Sequence, residues 1–400
     1  MSSQIKQTLV MIRANLFSLP RRLSVSLSMV LSIALVVAVL VGFLAMARGF
    51  ETALSSAGSP VVAVVLGGGT NQETGSDIPA SAIRNIAASG GDMGVVRDPA
   101  GNIVLSRELV VPVEIREHGK SPATTLALRG MDVTGPGIRD GITLSAGRLF
   151  RPGSREIVVG NHLAGRFDGL SIGNVIRLGS VEWTVTGHFS AHGSAFESEI
   201  WADLDTVRAA FDRQGDVQSL HLRLQDPAAI AELNNRLRTI TTTSLIAVSE
   251  ASLYAAQSGQ VSRLIKLFGW PLTLLMAVGA TVGALNTMMS SVSNRTIEIA
   301  TVRALGFSRL SAFLATWFEA VILAAIGAIL GVITSWLVFD GWQASTMAAN
   351  NTTVGFALTV TPDIMVTAGL LSLAIGFLGG AFPALVATRL PLTAALRPRS

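Results

Sequence analysis

The sequence predicts a membrane α-helical protein, with four transmembrane helices, both termini inside and one large α+β domain outside. Three observations carry this expectation. Half of the 400 residues are apolar and only 14% are charged. Long apolar runs are spaced one plus three, at residues 23–48 and then at 267–294, 310–339 and 364–388. Basic residues flank these runs in a one-sided pattern.

Each run reaches the ~20 mostly apolar residues that a helix needs to cross the hydrocarbon core. Residues 23–47, 267–294 and 364–388 carry no charge, and 310–339 carries only Glu319. Ala45, Met46 and Ala47 imitate a signal-peptidase site. The apolar part of a signal peptide is only ~7–15 residues long, so this longer run predicts an uncleaved anchor.

Charge sets the orientation. Lys6, Arg13, Arg21 and Arg22 precede the first span. Arg295, Arg303 and Arg309 separate the second from the third, and Arg389, Arg397 and Arg399 follow the fourth. Residues 340–363, between the last two spans, contain no Lys or Arg. The positive-inside rule places the three basic segments (1–22, 295–309, 389–400) in the cytoplasm, and 49–262 and 340–363 outside. It also accounts for a pI near 10.2 without nucleic acid, because the basic residues neither cluster nor interleave with aromatics. The chain has no cysteine, so the outer domain must be held by its own core. That is compatible with a bacterial periplasm.

In residues 1–22, Ile5, Leu9, Ile12 and Leu16 fall at helical spacing with Lys6 and Arg13 off that face, which predicts an amphipathic helix on the membrane surface. Small residues recur at spacing four: Ser24, Ser28 and Ser32 in the first span, Gly279 and Gly283 in the second, Gly327 and Gly331 in the third, Gly376 and Gly380 in the fourth. Such faces let backbones approach closely, within a bundle or at an intermolecular seam.

Residues 49–262 read as α+β. Strands at 61–66, 103–115, 124–130 and 243–248 and a helix at 79–88 have the outline of a ferredoxin-like split βαβ fold. Leu220, Leu222 and Leu224 alternate with His221 and Arg223, which predicts a half-buried strand with His221 on its outer face. Asp226 and Pro227 open a further helix. Residues 132–215, richer in glycine and short strands, are expected to form an inserted β-rich subdomain. Leu253, Gln257, Val261, Leu264 and Phe268 share a helical face, so the segment after 250 should run helically into the second span.

No catalytic set emerges. His188, His192, Glu197 and Glu199 are too loosely spaced to predict a metal centre. Gly119, Lys120 and Ser121 end like a phosphate-binding loop, but Glu114 stands where its first glycine is required. ATP, if used, falls to another chain.

The loop 295–309 is more informative. It has the form of a short amphipathic helix ended by Gly306 in a left-handed cap. Arg295 and Glu298 are placed to pair, leaving Ile297, Val302 and Leu305 for burial against the bilayer or a partner. Glu319, within the third span, should be either protonated or hydrogen-bonded to a neighbouring helix, since a charge there costs ~2.5–3.5 kcal/mol.

The Arg-x-x-Glu-Ile and Arg-Ala-Leu-Gly patterns of this loop resemble the signature of the FtsX/MacB-like ABC transporter permeases. Gly147-Arg148-Leu149-Phe150 with Glu156-Ile157-Val158-Val159-Gly160, Trp183-Thr184-Val185-Thr186-Gly187, and Pro383-Ala384-Leu385 with Leu390-Pro391 and Ala395-Leu396-Arg397 are similar to other parts of the same family, as is the one-plus-three layout. The resemblance implies a non-catalytic permease subunit in the bacterial inner membrane that dimerises, more as a homodimer than a heterodimer, and works by mechanotransmission. A cytoplasmic ABC ATPase would hold ATP and Mg, since only 22 residues precede the first span here. Residues 295–309 would be its coupling helix, with Arg295, Ile297, Glu298, Ile299, Val302, Arg303, Leu305 and Gly306 as the coupling residues. A periplasmic adaptor and export of a substrate from the periplasm are implied too. Lipoprotein release of the LolC/LolE kind, an FtsX-like regulator and an ATPase-independent membrane sensor are the alternatives.

Overall fold

The computed structural model describes residues 2–18, 23–89, 93–119, 123–348 and 351–389. Arg21, Arg22, Lys120, Ser121, Arg397 and Arg399, the C-terminal motif from Leu390 onward, and the side chains of Ile5, Leu16 and Ser24 lie outside the described residues. The helices in chain order are α1 (Ser2–Ser18), α2 (Leu23–Ser55), α3 (Ala80–Ala87), α4 (Gly135–Ile138), α5 (Asn161–Ala164), α6 (Leu204–Ala210), α7 (Ala229–Ile240), α8 (Glu250–Asn294), α9 (Thr296–Ala304), α10 (Arg309–Phe339) and α11 (Pro362–Arg389). The strands are β1 (Val62–Gly67), β2 (Leu105–Ile115), β3 (Thr124–Met131), β4 (Thr143–Gly147), β5 (Glu156–Gly160), β6 (Val175–Leu178), β7 (Val181–Ser190), β8 (Glu199–Asp203), β9 (Ser219–Arg223), β10 (Leu245–Ser249), β11 (Gln343–Met347) and β12 (Thr353–Ala357). Two units emerge: residues 1–48, 264–342 and 358–400, and residues 49–263 with 343–357.

Among the described residues, α2, α8, α10 and α11 are long and apolar enough to cross a membrane. At 45 residues, α8 is about 68 Å long, more than twice the hydrocarbon thickness. Its uncharged apolar run is 267–294, whereas 250–263 belong to the other unit. In the membrane unit α10 is the hub. A Cβ added at Gly327 or Gly331 would lie 2.9 Å from Val30 O or 2.8 Å from Ala34 O of α2. Cβ atoms at Gly376 and Gly380 of α11 would lie 2.3 and 2.4 Å from Ala324 and Ala320 of α10. These four glycines therefore set backbone approach directly. Polar groups between the helices are satisfied: Ser372 Oγ donates to Ala324 O at 2.8 Å, and Trp317 Nε1 donates to Phe377 O at 3.0 Å.

The other small residues behave differently. Gly279 and Gly283 are exposed, and among the described residues no atom beyond their own stretch of helix lies within 4 Å of a Cβ built on either. Within one chain α8 packs through Ala277, Ala280, Ala284 and Met288 instead. Gly279 and Gly283 precede two of these by one residue, and a step of one residue turns a helix face by about 100°. Ser28 and Ser32 are likewise exposed, while Met29, Val30, Ile33 and Val37 carry the packing face of α2. The N-terminal helix also departs from expectation. Leu9 is exposed, whereas Met11 and Ile12 pack on Ala312 and Ala315 of α10, and Thr8 Oγ1 donates to Ser311 Oγ at 3.2 Å. α1 is thus seated on α10 rather than only on a membrane surface.

In the second unit, ten strands among the described residues share one mixed sheet, ordered β10-β1-β9-β2-β3-β8-β5-β7-β4 with β6 on β7. Neighbours in the order β10-β1-β9-β2 are antiparallel and reproduce the 4-1-3-2 order of a split βαβ fold, with α3 and α7 as its crossovers. The inserted segment does not stand apart on its own sheet. β3 pairs antiparallel with β2 and parallel with β8, so the insertion prolongs the same sheet. It keeps its own core, with Trp183, Ile157, Val159 and Leu163 packed beneath Leu109, Val111 and Leu126. The first half is closed by Ala63, Val65, Ile86, Leu220, Leu222, Leu233 and Leu237.

The loop at 340–363 contains the hairpin β11–β12, which belongs to this second unit. Phe356 is buried edge-on against Phe50 at 5.6 Å, and Gly355 N–H donates to Ser198 Oγ at 2.9 Å.

Candidate coupling site and a buried ion cluster

The basic segment between α8 and α10 folds as α9, and its end is built as the sequence requires. Gly306 takes φ +99°, where a side chain would be strained. Its N–H donates to Arg303 O at 3.1 Å, and Phe307 N–H donates to Val302 O at 3.4 Å. This is the paired-bond arrangement of a Schellman cap. The apolar contact that accompanies such caps is present, because Val302 and Phe307 pack together with Met11.

Burial divides the helix into two faces. Ile299 is buried against Val292 and Ala387, and Ala300 is fully buried. Val302 is half-buried in the α1–α10 contact. Glu298, Ile297 and Leu305 face outward, the last 76% exposed. Of Ile297, Val302 and Leu305, expected to be left for burial against the bilayer or a partner, Val302 is already packed within the chain. Val302 turns inward, and the outward stripe is Ile297, Thr301, Ala304 and Leu305, at the three- and four-residue spacing of one helix side. Arg303 is half-buried.

Arg295 is not on this surface. It is 7% exposed and stands at the N-cap position of α9. Its Nη1 donates to Glu319 Oε2 at 2.9 Å, and its Nη2 donates to Asn15 Oδ1. The anticipated pair with Glu298 is longer, at 3.5 Å, with Glu298 largely exposed. Glu319, 3% exposed, thus has a cationic partner on α9's cap rather than a neutral helix neighbour.

The second unit hides a cluster that the sequence did not announce. Arg129, 1% exposed, donates to three carboxylates. Its Nε and Nη2 each lie 2.8 Å from Glu199, Nη1 lies 2.8 Å from Glu73, and Nη1 lies 3.0 Å from Glu108. Arg139 grips Glu108 with two bonds, of 2.8 and 2.7 Å, under the rings of Phe196 and Trp201. His221, expected on an outer strand face, is fully buried here. α8's first residue, Glu250, enters from another side, accepting from Ser59 N–H at 3.2 Å. Burial would raise both Glu73 and Glu108, yet the adjacent guanidiniums outweigh it, taking Glu73 down to about 2 and Glu108 lower still. Glu250 lies in this second unit, well before the apolar run of α8 at 267–294. Burial dominates there and lifts it to about 7. Burial also lowers His221 to about 4.

Glu73, Glu108 and His221 lie close enough to surround a cation. Their chemistry argues against a metal, because all four carboxylate oxygens of Glu73 and Glu108 already accept guanidinium hydrogens. The cluster is an ion-pair core. Three members of the histidine–glutamate set that looked too loose for a metal have other partners. Glu199 holds Arg129, Glu197 Oε1 accepts from Ser190 Oγ and two backbone amides, and His188 Nε2 meets Leu170 O at 2.8 Å.

Comparison with known proteins bears on both units. Residues 26–240 match the MacB-like periplasmic core domain, and residues 272–392 match the FtsX-like permease C-terminal domain. The chain belongs to the MacB-like, FtsX-like ABC transporter permease family. A macrolide export ATP-binding/permease protein MacB of Acinetobacter baylyi is 26% identical over 279 residues, 66% of this chain and 40% of the relative. One from Bordetella avium is 25% identical over 335 residues, 78% of this chain and 49% of the relative. This permease therefore spans less than half the length of those relatives. Among solved structures, the periplasmic region of MacB from Actinobacillus actinomycetemcomitans covers 50% of this chain and 92% of its own, at 12% identity and TM-score 0.38. The extracellular domain of the noncanonic ABC-type transporter YknZ from Gram-positive bacteria covers 47% and 100%, at 15% identity and TM-score 0.35.

Proposed function

We propose that this permease works with a cytoplasmic ABC ATPase in a bacterial inner membrane, transmitting motion to its periplasmic domain for export of a substrate. The observation that carries the reading is the two-faced α9. Its inner face is locked by Ile299, Ala300 and Val302, and its outer face offers Ile297, Glu298, Thr301 and Leu305. A helix fixed on one side and offering two large apolar side chains beside a carboxylate on the other suits docking into a partner's groove. The partner supplies ATP and Mg. A second copy of this chain is assigned to the open Gly279–Gly283 side of α8, where no described helix of the same chain comes within 4 Å of a Cβ at either glycine. A periplasmic adaptor completes the assembly. Relatives named for macrolide export favour export over lipoprotein release.

Co-purification tests the reading. Tagged permease in mild detergent should bring down an ABC ATPase. Leu305→Asp and Glu298→Lys should each weaken that association roughly tenfold, as polar or reversed charges do at a compact interface. Recovery of no ATPase from native membranes, or full retention by both variants, rejects α9 as the docking element.

A further inference from the structure

We infer that α1 is a working part of the coupling module, clamped to α9 and α10 through the node Asn15–Arg295–Glu319. The guanidinium of Arg295 stands between the two other side chains. One amino group donates to Glu319 on α10, and the other donates to Asn15 on α1. All three residues are less than 9% exposed. Arg295 is also the cap residue of α9, so three helices meet at one side chain. Apolar packing on the same seam reinforces the clamp: Met11 sits among Ala312, Ala315, Val302 and Phe307. Thr8, Ser311 and Ser308 continue it as a hydroxyl chain, at 3.2 and 2.8 Å.

Two consequences follow. Arg295 is a positioning residue, turned away from the surface that a partner would touch. And any displacement of α9 must carry α10 and α1 with it, because separating them breaks the buried bonds of Arg295 to Glu319 and to Asn15. Such a separation is costly in a low-dielectric setting. The second consequence rests on the docking reading above, while the clamp itself does not.

The absence of native cysteine makes single-cysteine reporters clean. The full-length protein in nanodiscs, carrying Met11→Cys, should react slowly with a soluble maleimide. Adding Asn15→Ala or Glu319→Gln should raise that rate roughly tenfold, the scale that loss of a charged hydrogen bond permits. A second reporter, Ala324→Cys at the α10–α11 contact, should stay protected, which separates release of α1 from general unfolding. Unchanged labelling of Met11→Cys in Asn15→Ala overturns the clamp, whatever becomes of Glu319→Gln. A thiol crosslink between Thr8→Cys and Ser311→Cys then tests concerted motion. Stimulation of the co-purified ATPase should survive the crosslink, and its loss means that α1 slides on α10. Failure to recover any ATPase rejects the docking reading and leaves the labelling result standing.

Discussion

Arg129 balances three carboxylates from its place on β3, which makes it the least replaceable side chain of the periplasmic unit. Arg129→Met should lower the stability of that unit by about 3–5 kcal/mol, since it strands buried charges. Denaturant unfolding of the full-length protein, followed by fluorescence of the buried Trp183 and Trp201, would measure this. A loss under about 1 kcal/mol contradicts the ion-pair account. Glu250 and His221 titrate in opposite senses. Glu250, raised from 4.5 to about 7, adds stability that is complete below pH 4.5 and lost as pH climbs through 7. His221, lowered from 6.5 to about 4, adds stability that is complete above pH 6.5 and lost as pH falls through 4. Their slopes oppose each other between those limits, so their net contribution is nearly flat. Each single variant should uncover the remaining partner. Glu250→Gln should gain stability from pH 4 to 6.5, and His221→Gln should lose it from pH 4.5 to 7, each by up to about 1.4 kcal/mol per pH unit. Melting curves that are flat in both variants would show that neither group is perturbed by burial.

At the scale of elements, β10 is an edge strand and carries its own guard. Asn234 of α7 accepts from Ala247 N–H at 2.9 Å and donates to Ala247 O at 2.8 Å, imitating the neighbouring strand that is missing there. Exposed edges invite pairing with other chains. Asn234→Leu should cost about 1–3 kcal/mol and promote association at high concentration, which light scattering would detect. A monomeric variant of unchanged stability would assign Asn234 no protective role. The membrane glycines divide in the same way. Gly331→Leu must collide with Ala34 O of α2, so folded yield should fall sharply. A Cβ at Gly283 has no atom of another described helix within 4 Å, so Gly283→Leu should leave the monomer folded while weakening the proposed dimer in crosslinking. Equal loss of folded yield in both would remove the distinction between inner and outer helix faces.

Across the whole molecule, the periplasmic unit is assembled from two distant parts of the chain, 49–263 and 343–357. Phe356, from the shorter part, is buried against Phe50. Phe356→Ala should therefore destabilise this unit by about 3 kcal/mol although it lies 93 positions beyond the end of the main segment. Limited proteolysis at the periplasmic unit would read the effect, and unaltered cleavage would mean that the hairpin is only a connector. The hairpin escaped sequence reading because the half-buried positions of Gln343–Met347 are Ala344 and Thr346, too weakly apolar to mark the alternation. α9 and its Gly306 stop were legible because capping and helical period are local. The partner of Arg295 was not, because its nearest acidic neighbour in sequence, Glu298, outcompetes Glu319 in any local reading. His221 was misplaced for a related reason: strand alternation assigns a face, but not what covers it.

The sequence by itself determined four apolar helices long enough to span a membrane, a large α+β insertion after the first, and a capped helix between the second and third. These depend on run length, residue period and turn chemistry, all written over short stretches. Only the tertiary structure decided that the insertion prolongs one sheet and that β12 joins the domain. It alone brought Arg295 to Glu319 and Asn15, and gathered Arg129, Arg139, Glu73, Glu108, Glu199, His221 and Glu250 into one buried core. Those pairings join residues up to 280 positions apart, and burial at such places is set by which strands and helices come to lie side by side.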